Sequence, residues 1–162
     1  MDSVTRHRPK PTEGRQATAS AIGRGVARLF KTLGYAPLSE VALASGRRAD
    51  LIGLSVAGEL WLVEIKSCLS DFRLDHKWQS YRPFCDRFFF AVAPDFPRQV
   101  LPPDTGLIVA DRYGGEILRQ APEHKLPAAR RRAITVRLAR AAALSLMAAR
   151  DPDEGLDGSF RG

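Results

Sequence analysis

Apolar and polar positions along the chain fall into segments of two periods. In residues 18–33, Ile22, Val26, Leu29, Phe30 and Leu33 recur at steps of three and four, which predicts a helix with one buried stripe, closed by Gly34. Residues 35–43 predict a first strand. Residues 48–55 and 59–66 flank Val56-Ala57-Gly58 and predict a β-hairpin. A second helix is expected over residues 70–82, with Ser70 as its cap, Leu74, Trp78 and Tyr81 as its stripe, and Pro83 as its stop. Residues 87–93 are an unbroken apolar run, the pattern of a strand covered on both faces. Two short strands, 106–111 and 116–119, follow a proline-rich loop. Residues 127–150 predict a long helix. Its second half is apolar almost all round, so it is expected to lie against the sheet or a partner.

The register of the hairpin decides which side chains meet. In the second arm Leu60, Leu62, Glu64 and Lys66 share one face, and Trp61, Val63 and Ile65 the other. A two-residue turn would place Asp50 opposite Ile65, away from the charges. A three-residue turn places it opposite Glu64, with Ile52 facing Leu62 and Leu54 facing Leu60. The second register is preferred. It uses Gly58 in the left-handed position that three-residue loops favour, and it gathers the aliphatic pairs on one face. Directly opposed residues have Cβ atoms roughly 4.5–5.5 Å apart. Two carboxylates that close repel unless a cation or a proton sits between them, and Lys66 and a divalent metal are the two candidate cations.

Composition adds a partner class and removes others. The 162 residues are enough for one domain with a core, and a net charge of +7 fits a polyanion partner. No stretch approaches the roughly 20 apolar residues of a membrane span, and no apolar run follows the basic N-terminus. Cys68 and Cys85 have neither metal-ligand nor disulfide spacing, and His7, His76 and His124 show no ligand pattern. The expected compartment is a reducing cytoplasm. Residues 1–16 are read as a disordered basic arm, 17–150 as the domain and 151–162 as a disordered tail.

Asp50 followed by Glu64-Ile65-Lys66 resembles the signature of the PD-(D/E)XK nuclease superfamily. The wider set resembles the MmcB-like DNA repair proteins over most of the chain. That set is Arg47-Arg48-Ala49-Asp50-Leu51, Glu64-Ile65-Lys66-Ser67, Asp71-Phe72, Lys77-Trp78 through Tyr81, Cys85-Asp86 and Gly106-Leu107-Ile108-Val109-Ala110-Asp111. The resemblance implies an α/β restriction-endonuclease-like fold, an αβββαβ core with a mixed central sheet flanked by helices. A C-terminal β-hairpin and helix would follow that core. It also implies a magnesium- or manganese-dependent deoxyribonuclease acting in DNA repair. Asp50, Glu64 and Lys66 would be catalytic, and Asp50, Glu64 and the Ile65 carbonyl would hold the metal. Many such nucleases carry a further acid upstream, for which Glu40 is the candidate here. DNA is the implied partner, with other repair proteins as further candidates. The rival reading is a DNA-binding or scaffolding module that keeps the fold and does not cut.

Four further residues are assigned to DNA contacts. Arg47 and Arg48 flank Asp50 at the mouth of the site. Lys77 and Tyr81, four apart on the expected second helix, are placed on one side of it toward a phosphate. Arg130, Arg131, Arg132, Arg137 and Arg140 form a second basic group on the last helix, with Arg130, Arg137 and Arg140 on one side.

Overall fold

The computed structural model describes residues 11–74 and 77–151. Its elements are α1 (Pro11–Thr32), β1 (Tyr35–Ala42), β2 (Arg48–Ser55), β3 (Leu60–Lys66), α2 (Leu69–Leu74), a 3-10 helix (Trp78–Phe84), β4 (Arg87–Val92), a short 3-10 turn (Arg98–Val100), β5 (Gly106–Ala110), β6 (Gly115–Arg119) and α3 (Ala128–Arg150). The six strands form one mixed sheet in sequence order. β1, β2 and β3 are antiparallel neighbours, β4 and β5 continue parallel to β3, and β6 returns antiparallel. The parallel step from β3 to β4 is made by α2 and the 3-10 helix, as a crossover requires.

The two-residue alternation of the strands builds two cores. On one face Trp61 and Val63 of β3 and Phe89 and Ala91 of β4 meet Ile22, Val26 and Phe30 of α1. On the other, Leu60, Leu62, Phe88 and Phe90 meet Trp78 and Tyr81 of the 3-10 helix and Ile134 and Leu138 of α3. β3 and β4 are therefore buried on both sides, which is why their sequences run apolar. α1 approaches the β5–β6 turn so closely that a Cβ at residue 25 would overlap the carbonyl oxygens of Asp111 and Gly114, so only glycine fits there.

Four expectations change. α1 begins at Pro11, so residues 11–16 belong to a helix and not to an arm. Those first turns carry no apolar stripe for a pattern reading to find. Residues 1–10 of the expected arm (1–16) and 152–162 of the expected tail (151–162) lie outside the described residues.

The second helix is not one α-helix over residues 70–82. α2 ends at Leu74, and a 3-10 helix containing Pro83 takes over from Trp78. Residues three apart eclipse in a 3-10 helix. Trp78 and Tyr81 are thus buried together, while Lys77 lies just outside that helix and is exposed. The expected pairing of Lys77 with Tyr81 on one side is therefore lost.

The second half of α3 does not lie on the sheet. Leu144, Leu146 and Met147 are exposed by half or more. A helix of 23 residues is about 34 Å long at 1.5 Å per residue, and its buried positions, Ile134 and Leu138, are in the first half. Finally, Arg131 leaves the basic surface group, because it is committed to an internal ion pair described below.

Candidate active site at the open end of the β2–β3 hairpin

The hairpin takes the register with Ile52 opposite Leu62 and Leu54 opposite Leu60. Gly58 closes the three-residue turn at φ 83°, its N–H bonded to the Ser55 carbonyl at 3.0 Å. The paired ladder ends at Leu51 and Val63. Beyond that point the Ile65 N–H is bound by the Asp50 carboxylate, Oδ2 at 2.7 Å. A side chain thus caps the end of a backbone ladder where the two strands part. The Ile65 carbonyl belongs to the same edge of β3 as its N–H, the edge that faces β2.

The face shared by Leu60 and Leu62 carries Glu64 and Lys66 into the pocket. Both are almost wholly buried, and Lys66 Nζ lies 3.3 Å from Glu64 Oε1. Parallel pairing sets them beside Phe90 and Val92 of β4. Burial raises the pKa of Asp50 above the ordinary carboxylate value. The Ile65 N–H, Lys66, Arg48 and a direct interaction with Glu64 all pull it down without overcoming that effect. Asp50 therefore lies within electrostatic reach of both Lys66 and Glu64.

Aromatic packing forms the wall. Tyr81 stacks on Phe88, and its hydroxyl donates to the Arg48 carbonyl at 3.2 Å. The Arg47 guanidinium lies 5.3 Å from the Tyr81 ring centroid. Burial, with the nearby Glu64 charge, pushes the Tyr81 phenol up to about 12, so it stays neutral at working pH. Arg48 reaches outward to Glu40 at 3.6 Å. Next to the strand end, Ser67 donates to Asp71 at 2.6 Å. That bond holds Asp71 below the usual range, with Arg15 and Lys66 contributing charge.

Of the residues singled out by sequence, Asp50, Glu64, Ile65 and Lys66 converge, with Arg47, Arg48 and Tyr81 around them. Glu40 and Lys77 are both exposed, Glu40 paired with Arg48 and Lys77 just ahead of the 3-10 helix. Glu40 is exposed and stands at φ 55°, the one non-glycine residue with positive φ among those described. Among the described residues no cluster of three or more His, Cys, Asp or Glu side chains is placed to hold a metal, so Glu40 does not add a third carboxylate.

A second charged centre was not assigned by the sequence reading. Asp86, 1% exposed, accepts the Leu60 N–H at 2.8 Å, the Leu126 N–H at 2.9 Å and both Arg131 nitrogens at 2.6 Å. It joins the start of β3 to the entry of α3, at the far end of the hairpin from Asp50. Its one sequence signal is an acid immediately ahead of a fully buried strand, where acids rarely sit unpaired.

The family model for DNA repair protein MmcB-like matches residues 6–153. The chain belongs to the MmcB-like family of DNA repair proteins. The described part of this MmcB-like protein also resembles a solved structure, the SPO1766 protein of unknown function from Silicibacter pomeroyi. The two are 43% identical with a TM-score of 0.84, over 89% of this chain and 97% of that one. No curated protein matches the chain. No helix among the described residues of this MmcB-like protein is long and apolar enough to cross a membrane.

Proposed function

We propose that this MmcB-like protein is a metal-dependent nuclease of restriction-endonuclease-like architecture that hydrolyses DNA phosphodiester bonds during repair. The observation that carries this reading is the meeting of Asp50 with Glu64 and Lys66 where β2 and β3 part, marked by the Asp50 bond to the Ile65 N–H.

The donors fit a hard cation. Asp50, Glu64 and the Ile65 carbonyl offer only oxygen, and magnesium is commonly held by one or two carboxylates together with waters and substrate phosphates. Magnesium or manganese bound there would supply Lewis-acid polarisation of the phosphate and a water of lowered pKa. The protein contributes the rest. Asp50 and Glu64 hold two negative groups in a poorly hydrated cleft, ready to be offset by a cation. Lys66 presents a buried ammonium beside them, suited to orient a water and to offset charge developing on the phosphate. The Tyr81–Phe88 wall limits access of bulk water, and Arg47 and Arg48 supply positive charge at the mouth for the DNA backbone.

The test is a panel of labelled single-stranded, duplex, nicked and branched DNAs with magnesium or manganese. Wild-type protein is expected to cut at least one form, and Lys66→Ala to cut it at least about 100-fold more slowly. No cleavage of any form, or equal cleavage by the variant, overturns the reading. The Lys66–Glu64 contact favours a second reading, a non-cleaving DNA-binding module in which this pair is structural. Calorimetric titration separates the two, because that module takes up no magnesium at Asp50.

A further inference from the structure

We propose that the groove beside α3 carries a single strand of nucleic acid into the Asp50–Glu64–Lys66 site, with Arg130 and Arg137 on its phosphates and Phe84 against a base. This rests on the nuclease reading and adds to it the form of the substrate and its path.

The groove has a volume of about 450 Å³ and lies between the β1–β2 loop, through Leu43 and Ser45, and the 3-10 helix, through Phe84. Ile134 of α3 lies along it, between Arg130 and Arg137. Both walls continue to the candidate active site. The β1–β2 loop folds back through the Leu43 N–H to the Arg47 carbonyl at 2.8 Å, and Arg47 stands over Tyr81. Phe84 is one turn beyond Tyr81 in the same 3-10 helix, whose hydroxyl holds the Arg48 carbonyl. The β1–β2 loop and the 3-10 helix thus each border both the groove and the candidate active site.

The charges suit a phosphate backbone. Arg130 and Arg137 are exposed, and among the described residues neither forms an ion pair with a carboxylate. Arg130 donates to the Pro83 carbonyl at 3.4 Å and Arg137 to the Ala42 carbonyl at 3.3 Å, one on each wall. Each bond uses one of the five guanidinium N–H groups and leaves the others for a ligand. Seven residues apart on a helix, they share a side and are separated by about 10.5 Å of rise, which leaves room for a base between the phosphates they would hold. An apolar floor between two cations suits an unstacked base, which a duplex keeps inside. The groove on the other flank of α3, with Lys125, Arg132 and Val136, lies against Arg131. Arg131 is spent on Asp86 and Gly58, at the end of the hairpin remote from Asp50.

The experiment is fluorescence anisotropy with a labelled oligothymidylate of about 12 nucleotides in chelator, over a range of salt, using the full chain. Single-strand affinity varies with salt to the power of about −0.7 per phosphate contact. Losing two contacts in Arg130→Ala/Arg137→Ala should flatten the log–log slope by about 1.4 and weaken binding about 25-fold at 0.1 M salt. Arg130→Lys/Arg137→Lys should keep most of the slope, and Arg132→Ala should bind like wild type. Matching melting temperatures show that the variants fold.

If wild type binds and the double alanine variant binds equally well, the track is wrong while the nuclease reading stands. Tighter binding of a blunt duplex of the same length overturns the single-strand assignment. Arginine-dependent binding with no cleavage in the DNA panel sinks the nuclease reading and leaves the track. No binding by wild type sinks the track and leaves the nuclease reading to the cleavage panel.

Discussion

Replacing Asp86 with alanine should destabilise the protein more than any surface charge change. The carboxylate is almost completely buried and accepts four hydrogen bonds, two from backbone N–H groups and two from Arg131. Its removal leaves the Leu60 and Leu126 N–H groups without their acceptor, and a partly buried guanidinium held only by the Gly58 carbonyl. Breaking such a pair from one side costs about 3–5 kcal/mol. For a chain of this size that lowers the melting temperature by about 6–20 °C. Arg131→Ala should cost less, because Asp86 keeps both backbone donors. Acid dependence gives a second readout. Burial pushes the Asp86 pKa up, but Arg131 and the two N–H groups outweigh it, and the net shift is downward. A depressed carboxylate contributes stability above its unfolded pKa and loses it as pH falls through the folded one. Wild type should therefore lose stability toward low pH more steeply than Asp86→Ala. Urea unfolding from pH 7 to pH 3 measures both effects. A loss below about 1 kcal/mol, or a larger effect from Arg131→Ala, would refute this account of the second centre.

Four other substitutions test the site and its support. The raised pKa of Asp50 means that the metal-free fold gains stability as pH falls through that value, so burying this acid is a burden on the fold above it. Asp50→Asn, whose amide oxygen still accepts the Ile65 N–H, should melt higher than wild type in chelator. It should also lose a magnesium-induced gain of about 1.4 kcal/mol at ten times the dissociation constant, read by thermal melting. Equal magnesium response in the variant would refute the donor set. Gly25→Ala should lower the melting point by about 2–12 °C through overpacking against the β5–β6 turn, whereas Gly14→Ala, with open space around it, should raise it. Tyr81→Phe keeps the Phe88 stack and loses the Arg48 bond, so it should cost about 0.5–1.5 kcal/mol and leave the pH profile of any activity unchanged below pH 10.

The hairpin and its register were legible because two independent constraints agree there. A slip of one residue would break the aliphatic pairs Ile52–Leu62 and Leu54–Leu60, and Gly58 supplies the conformation that the three-residue turn needs. β4 was legible because both of its faces are buried. What the pattern hid was set by partners distant in sequence. Nothing in the run Arg130-Arg131-Arg132 marks the middle residue for an aspartate 45 positions earlier. Trp78 and Tyr81 fit a stripe of period 3 as well as one of 3.6, and only packing on Phe88 and Phe90 chose the tighter helix. Glu40 was expected as an accessory acid, and its left-handed backbone and its pair with Arg48 at 3.6 Å were not legible in the strand pattern around it.

The two acidic centres differ in a way that separates support from chemistry. Asp86 is matched by a bidentate guanidinium and two N–H groups, and its pKa is depressed despite burial. Such a centre gains nothing from a ligand. Asp50 lies at the other end of the hairpin, beside another buried carboxylate, and its pKa is raised because burial outweighs its donors. That arrangement lowers the stability of the fold, and a bound cation would reverse the imbalance. It also sits at the carboxyl end of β3, next to parallel β4, where open α/β sheets place their ligands. An upward shift in a cleft, opposite to that of a satisfied structural acid in the same sheet, is what the proposed cation site calls for.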